Sequence, residues 1–179
     1  MFTYPLKSSL RSLAVRLSRL EVLIIDPDAE IAKVVMEVLR YVGFEKITLA
    51  TNANKGLEIL RERNVDLLIT DWQAAPNGVN NLVQYLRTSP DSPNPFVPII
   101  MLTGKSEKHE VEIARDSGVT ELISKPFTPK RLFERIVMII ENPRSFVVSP
   151  NYRGPDRRRR TDIPPSGQER RIHRIVPEE

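Results

Sequence analysis

Five short, unbroken apolar runs, each followed by a segment of helix length, constrain this chain more than any other feature. They are VLII at 22–25, ITLA at 47–50, LLIT at 67–70, VPIIML at 97–102 and LIS at 122–124. A strand with one wet face alternates polar and apolar residues, so continuous apolarity marks strands covered on both faces. Between the runs, Ile31, Val34, Val35, Val38 and Val42 recur at helical spacing, as do Leu132, Ile136 and Ile140. Thr128 before Pro129 reads as an N-cap followed by proline in the first turn. Five strand and helix units in succession predict an α/β domain with a five-stranded parallel sheet and right-handed crossovers. At this length the expected version is the flavodoxin-like doubly wound order 2-1-3-4-5.

The 179 residues contain no cysteine, which excludes disulfides, thiolate metal sites and a thiol nucleophile. No apolar run approaches the roughly 20 residues of a membrane-spanning helix, and residues 1–20 lack the apolar core of a secretory signal. A soluble, cytoplasmic protein is the expectation. The net charge of +4 is unevenly spread. Residues 1–20 carry four basic residues and no acid, and residues 142–179 carry nine arginines against five acids. Residues 21–141 hold 14 Lys plus Arg against 18 Asp plus Glu, so an acidic domain lies between two basic arms.

The strand ends carry the chemistry. The first apolar run leads into Asp26, the third into Asp71, the fourth into Thr103 and the fifth into Lys125. In the 2-1-3-4-5 order these four strands are consecutive, about 5 Å apart, and their carboxyl ends border the crevice where doubly wound sheets bind ligands. Two carboxylates, a hydroxyl and an ammonium thus converge. Paired acids suit Mg²⁺, which takes one or two carboxylates and keeps several waters. A carboxylate can attack phosphorus to form an aspartyl phosphate while a cation and Lys125 neutralise the phosphoryl oxygens and Thr103 donates a hydrogen bond. Asp28 reads equally as a metal ligand or as the cap of the following helix. Trp72 reads as a rim side chain, and His109 and His173 are too isolated for a relay or a metal site.

VLIIDPD, LLITDW, IIMLTG and ISKPFTPKRL, in this order and spacing over residues 21–142, resemble the receiver domain of bacterial two-component response regulators. The resemblance implies phosphorylation of Asp71 by a histidine kinase or phosphotransfer protein, with Thr103 and Lys125 as its partners. It further implies Mg²⁺ held by Asp26, Asp28, Asp71 and the backbone carbonyl of Gln73, and a cis peptide before Pro126. Such a switch signals through the face made by the fourth helix, fifth strand and fifth helix of the repeat, and is not a conventional enzyme. Three features depart from the family pattern. Pro27 stands where a second consecutive acid is usual, Leu122 where an aromatic switch residue is usual, and the loop after Asp71 is one residue longer. The alternative reading is a degenerate receiver acting as a phosphorylation-independent scaffold.

The arms are separate units. Leu6, Leu10, Leu13, Leu17 and Leu20 fall on a stripe about 80° wide if residues 1–20 are helical, a helix expected to dock on its own domain or on a second copy. Both that stripe and the signalling face are compatible with a twofold dimer. The Pro/Arg-rich residues 143–179 read as an extended or disordered tail, with FVVSPNY at 146–152 as a segment that can lie back on the domain. Arg157 to Arg160 suit nonspecific contact with nucleic-acid phosphates or an acidic protein, while the lack of any base-reading motif argues against sequence-specific DNA binding.

Overall fold

The computed structural model describes residues 8–74, 79–104, 108–149, 152–156 and 173–175. Its centre is a parallel five-stranded sheet of β1 (Glu21–Ile25), β2 (Lys46–Ala50), β3 (Leu67–Asp71), β4 (Ile99–Thr103) and β5 (Glu121–Ser124), in the order β2-β1-β3-β4-β5. The doubly wound order expected from the apolar runs is therefore the observed one. The fourth strand starts two residues later than its apolar run, because Pro98 has no amide to donate; its carbonyl instead accepts from Leu68.

Alternation along the buried strands divides the core into two layers. Leu23, Ile25, Leu68, Ile99 and Met101 face one side, under α3 (Ala53–Glu62), α4 (Val79–Thr88) and α5 (Lys108–Ser117). Val22, Ile24, Leu67, Ile69, Ile100 and Leu102 face the other, under α1 (Ser8–Arg19), α2 (Ala29–Val42) and α6 (Pro129–Glu141). The helix ends follow local chemistry. Asn52 caps α3 by accepting from Lys55, Thr128 caps α6 by accepting from Arg131, and α2 ends on Gly43 at φ +110°. Leu17 of α1 is fully buried, with Leu13 and Leu20 packed beside it. Leu13, Leu17 and Leu20 of the leucine stripe thus dock on their own domain; Leu6 and the side chain of Leu10 lie outside what is described.

Residues 143–149 and 152–156 lie against the domain rather than forming an extended or disordered tail, as the reading of 146–152 as a segment lying back on it had it. β6 (Phe146–Ser149) and β7 (Tyr152–Pro155) form an antiparallel hairpin that packs on α4 and α5, and β8 (His173–Ile175) pairs with the other edge of β6. What the local sequence could not show is the partner surface. Phe146 lies edge-to-face against Phe96, with ring centroids 5.3 Å apart, and under the guanidinium of Arg87 at 5.1 Å. At its root, Glu121 is buried and held by Arg135 at 3.3 Å and by Arg144. Arg157 to Arg160 lie outside the described residues. Among the described residues no helix is long and apolar enough to cross a membrane.

Candidate functional site

The parallel register brings the chemistry to one edge of the sheet. Ile25 pairs with Thr70, Asp71 with Leu102, and Thr103 with Ser124, so Asp26, Asp71, Thr103 and Lys125 lie side by side at the carboxyl ends of β1, β3, β4 and β5. Backbone bonds hold each in place: Asp26 donates to Ala50, Trp72 to Leu102, and Lys125 to Thr103 at 2.6 Å. The peptide between Lys125 and Pro126 is cis, as the resemblance implied.

Lys125 joins the two acids. Its Nζ donates to Asp71 Oδ2 at 2.7 Å and to Asp26 Oδ2 at 3.2 Å. The remaining oxygens take backbone amides, Asp71 Oδ1 from Gln73 at 2.7 Å and Asp26 Oδ1 from Asp28 at 2.8 Å. Both carboxylates are buried while Lys125 is 19% exposed, so the crevice opens past the ammonium. Thr103, also buried, lies at the end of β4 on the far side of Asp71 from Asp26. Trp72 is half-buried against the core, as a rim residue should be.

The electrostatics follow from this crowding. Burial raises the Asp26 carboxyl above its ordinary 3.8; the Asp28 amide and Lys125 oppose the rise, and the Asp71 charge adds to it. Burial alone would lower Lys125, but the hydrogen bond and charge of Asp71, together with Asp26, outweigh it and hold the ammonium above 10.5. An acid whose pKa is raised in the folded state costs the fold stability as pH climbs from 3.8 through its folded value. Asp26→Asn is therefore expected to stabilise the fold by about 1 kcal/mol, or roughly 2–4 °C in Tm at this chain length. Thermal melts at pH 7 check it, and an unchanged or lowered Tm would show that the Lys125 contact outweighs the burial cost.

Two buried, mutually repelling carboxylates are a donor set that a hard divalent cation fits. Asp28 is the N-cap of α2: its Oδ1 accepts from Glu30 at 2.9 Å and Ile31 at 3.2 Å, a cap that leaves Oδ2 as the oxygen by which it could join a metal ligand set. Proline at 27 carries the chain straight from Asp26 into that cap. Among the described residues no three His, Cys, Asp or Glu side chains group as a metal site.

Two residues outside the crevice escaped the sequence reading. Arg87 and Glu121 are buried charges that secure the hairpin. The signal for Arg87 was its place four residues after Val83, on the apolar face of α4.

Residues 22–137 match the family described as the response regulator receiver domain. The chemotaxis protein CheY1 of Helicobacter pylori is 32% identical over 123 residues, spanning 68% of this chain and 97% of that protein. The chemotaxis protein CheY of Pseudomonas aeruginosa is 28% identical over 122 residues, again spanning 68% and 97%. Among solved structures, the CheY-like receiver domain protein of Methanospirillum hungatei superposes with a TM-score of 0.61 at 22% identity, over 68% of this chain and 94% of that one. That likeness bears on the fold alone.

Proposed function

Because the chain belongs to the response regulator receiver family, and is a phosphorylation-dependent signalling switch of that type, we propose that Asp71 is its phosphoacceptor. The observation that carries this reading is the Lys125 ammonium bonded at once to Asp71 and Asp26, carboxylates from neighbouring strand ends. An oxygen of Asp71 attacks phosphorus while the bond to the donor nitrogen or oxygen breaks. The bonding pair leaves with the donor, which takes a proton, and an acyl phosphate remains on Asp71. Lys125 neutralises part of the charge on the phosphoryl oxygens, and Thr103, at the adjoining strand end, supplies a hydroxyl for one of them.

Receiver domains generally bind Mg²⁺ at this acidic pocket. In this chain Asp26, Asp28, Asp71 and the backbone carbonyl of Gln73 would hold it, and when bound it supplies positive charge to the phosphoryl group. Receiver domains of response regulators interact with histidine kinases or phosphotransfer proteins; a phosphohistidine of such a protein is the donor proposed here. The proposed location is the cytoplasm. Residues 21–142 form the switch in this reading, and the arms serve its contacts with other proteins.

The test uses Trp72, the only tryptophan, whose neighbour in sequence is Asp71. Mg²⁺ with beryllofluoride, a phosphoryl mimic, is expected to change Trp72 emission with saturation, and Asp71→Asn to abolish the change. A flat signal in the folded wild-type chain would remove the phosphoacceptor reading.

A further inference from the structure

We infer that the C-terminal hairpin is the moving output element of this switch: loading of Asp71 shifts α5, and α5 undocks the hairpin from Arg87 and Gly118. This rests on the reading of Asp71 as phosphoacceptor.

The route is set by one rod and one tight contact. α5 begins five residues after Thr103, at the crevice end of β4, and ends at Ser117, just before Gly118, at the opposite end of the sheet. A helix transmits displacement along its length because its backbone bonds are internal. At Gly118 there is no slack. With φ +99°, a Cβ there would stand 2.8 Å from the Arg153 carbonyl oxygen and 3.0 Å from Arg87 Cγ. On the hairpin side, a Cβ at Gly154 would stand 2.9 Å from Gly118 Cα and 2.7 Å from the Tyr152 hydroxyl. Two backbones touch with room only for hydrogens, so a shift of the α5–β5 turn toward the hairpin must displace it.

The docked hairpin is also poised. Arg153 Nε is buried with no hydrogen-bond partner among the described residues, a donor that water would satisfy on undocking. That unsatisfied donor lowers the cost of moving between docked and undocked arrangements, the two states a switch requires. The usual aromatic on β5 is Leu122 here, and Leu122 lines, with Val111, Val119, Tyr152 and Pro155, a cavity of about 180 Å³ between α5, β5 and the hairpin. The hairpin thus forms one wall of the space beside α5, and undocking would uncover Phe96, Val97 and Phe146 as an apolar surface for a downstream protein.

Hydrogen exchange of the full chain, with and without Mg²⁺ and beryllofluoride, tests this while Trp72 emission reports occupancy. Exchange of the amides of residues 146–149 and 152–154 is expected to speed up when Trp72 reports binding. By reciprocity, Gly154→Val, which forces the tight contact apart, should tighten beryllofluoride binding about 5-fold or more. If that variant fails to fold by circular dichroism, Tyr152→Phe replaces it, since it removes the 2.7 Å bond from the Tyr152 hydroxyl to the Pro155 carbonyl while keeping the ring. Occupancy with unchanged or slower exchange at 146–149 and 152–154, or unchanged or weaker binding in the folded variant, would overturn the inference. A flat Trp72 signal would instead remove the phosphoacceptor reading, and the inference with it.

Discussion

Asp71→Asn is expected to take up no phosphoryl group from a small-molecule phosphodonor and Mg²⁺, where the wild-type chain gains a single adduct by intact mass. The amide keeps the size of the carboxylate, but its single oxygen can accept from Gln73 or from Lys125, which bond separate oxygens of Asp71 at 2.7 Å each, and not from both. What it lacks is the anionic oxygen that attacks phosphorus, so the loss is one of chemistry rather than of fold. Lys125→Met provides the graded comparison. It leaves the nucleophile intact but removes the cation, and loss of one preorganised electrostatic partner costs roughly 10²–10³ in rate. The two variants should therefore separate, Asp71→Asn with no product and Lys125→Met with slow product. An adduct of wild-type yield on Asp71→Asn would place the phosphoacceptor elsewhere.

The difference between what could and could not be read in the sequence lies in the range of the interactions. β1 and β3 were legible because a strand covered on both faces writes its burial into every residue, as Val22 to Ile25 and Leu67 to Thr70 do. The convergence of Asp26, Asp71 and Lys125 followed from topology, since strand order fixes which ends are neighbours, and the Lys125 distances to both acids agree with it. Asp28 was not decidable, because capping and metal ligation both ask for a short acidic side chain just past a strand. The hairpin was hidden for another reason. Its strands are four residues each, too short to display a period, and its hold on the domain runs through Phe96, Arg87 and Gly118, which lie 28 to 59 residues before Phe146 in sequence. Gly154 was visible, but only its contact with Gly118 gives it meaning.

Arg87→Ala should be the most destabilising single substitution outside the apolar core. The guanidinium is fully buried and spends its donors on three backbone carbonyls: Nε on Gly118 at 3.0 Å, Nη1 on Pro95 at 2.8 Å and Nη2 on Val97 at 2.8 Å. Burial lowers its pKa to about 9, with Tyr152 opposing and Arg153 adding to the fall, so the group is still charged at neutral pH. Truncation orphans three acceptors at about 1–3 kcal/mol each before relaxation, and it removes the cation resting on Phe146. Water entering the vacated space recovers part of this, which leaves an expected loss of about 3–5 kcal/mol, the range seen when a buried charged network loses one partner. In Tm that is a fall of roughly 10 °C for a chain of this size. Arg87→Lys keeps the charge but places a single ammonium where a planar fork served three directions, so it should recover less than half of the loss. Urea unfolding of the three proteins measures this. A cost below about 1 kcal/mol for Arg87→Ala would mean that the Gly118, Pro95 and Val97 carbonyls find water without help, and that the hairpin docks through Phe146 and Gly154 alone.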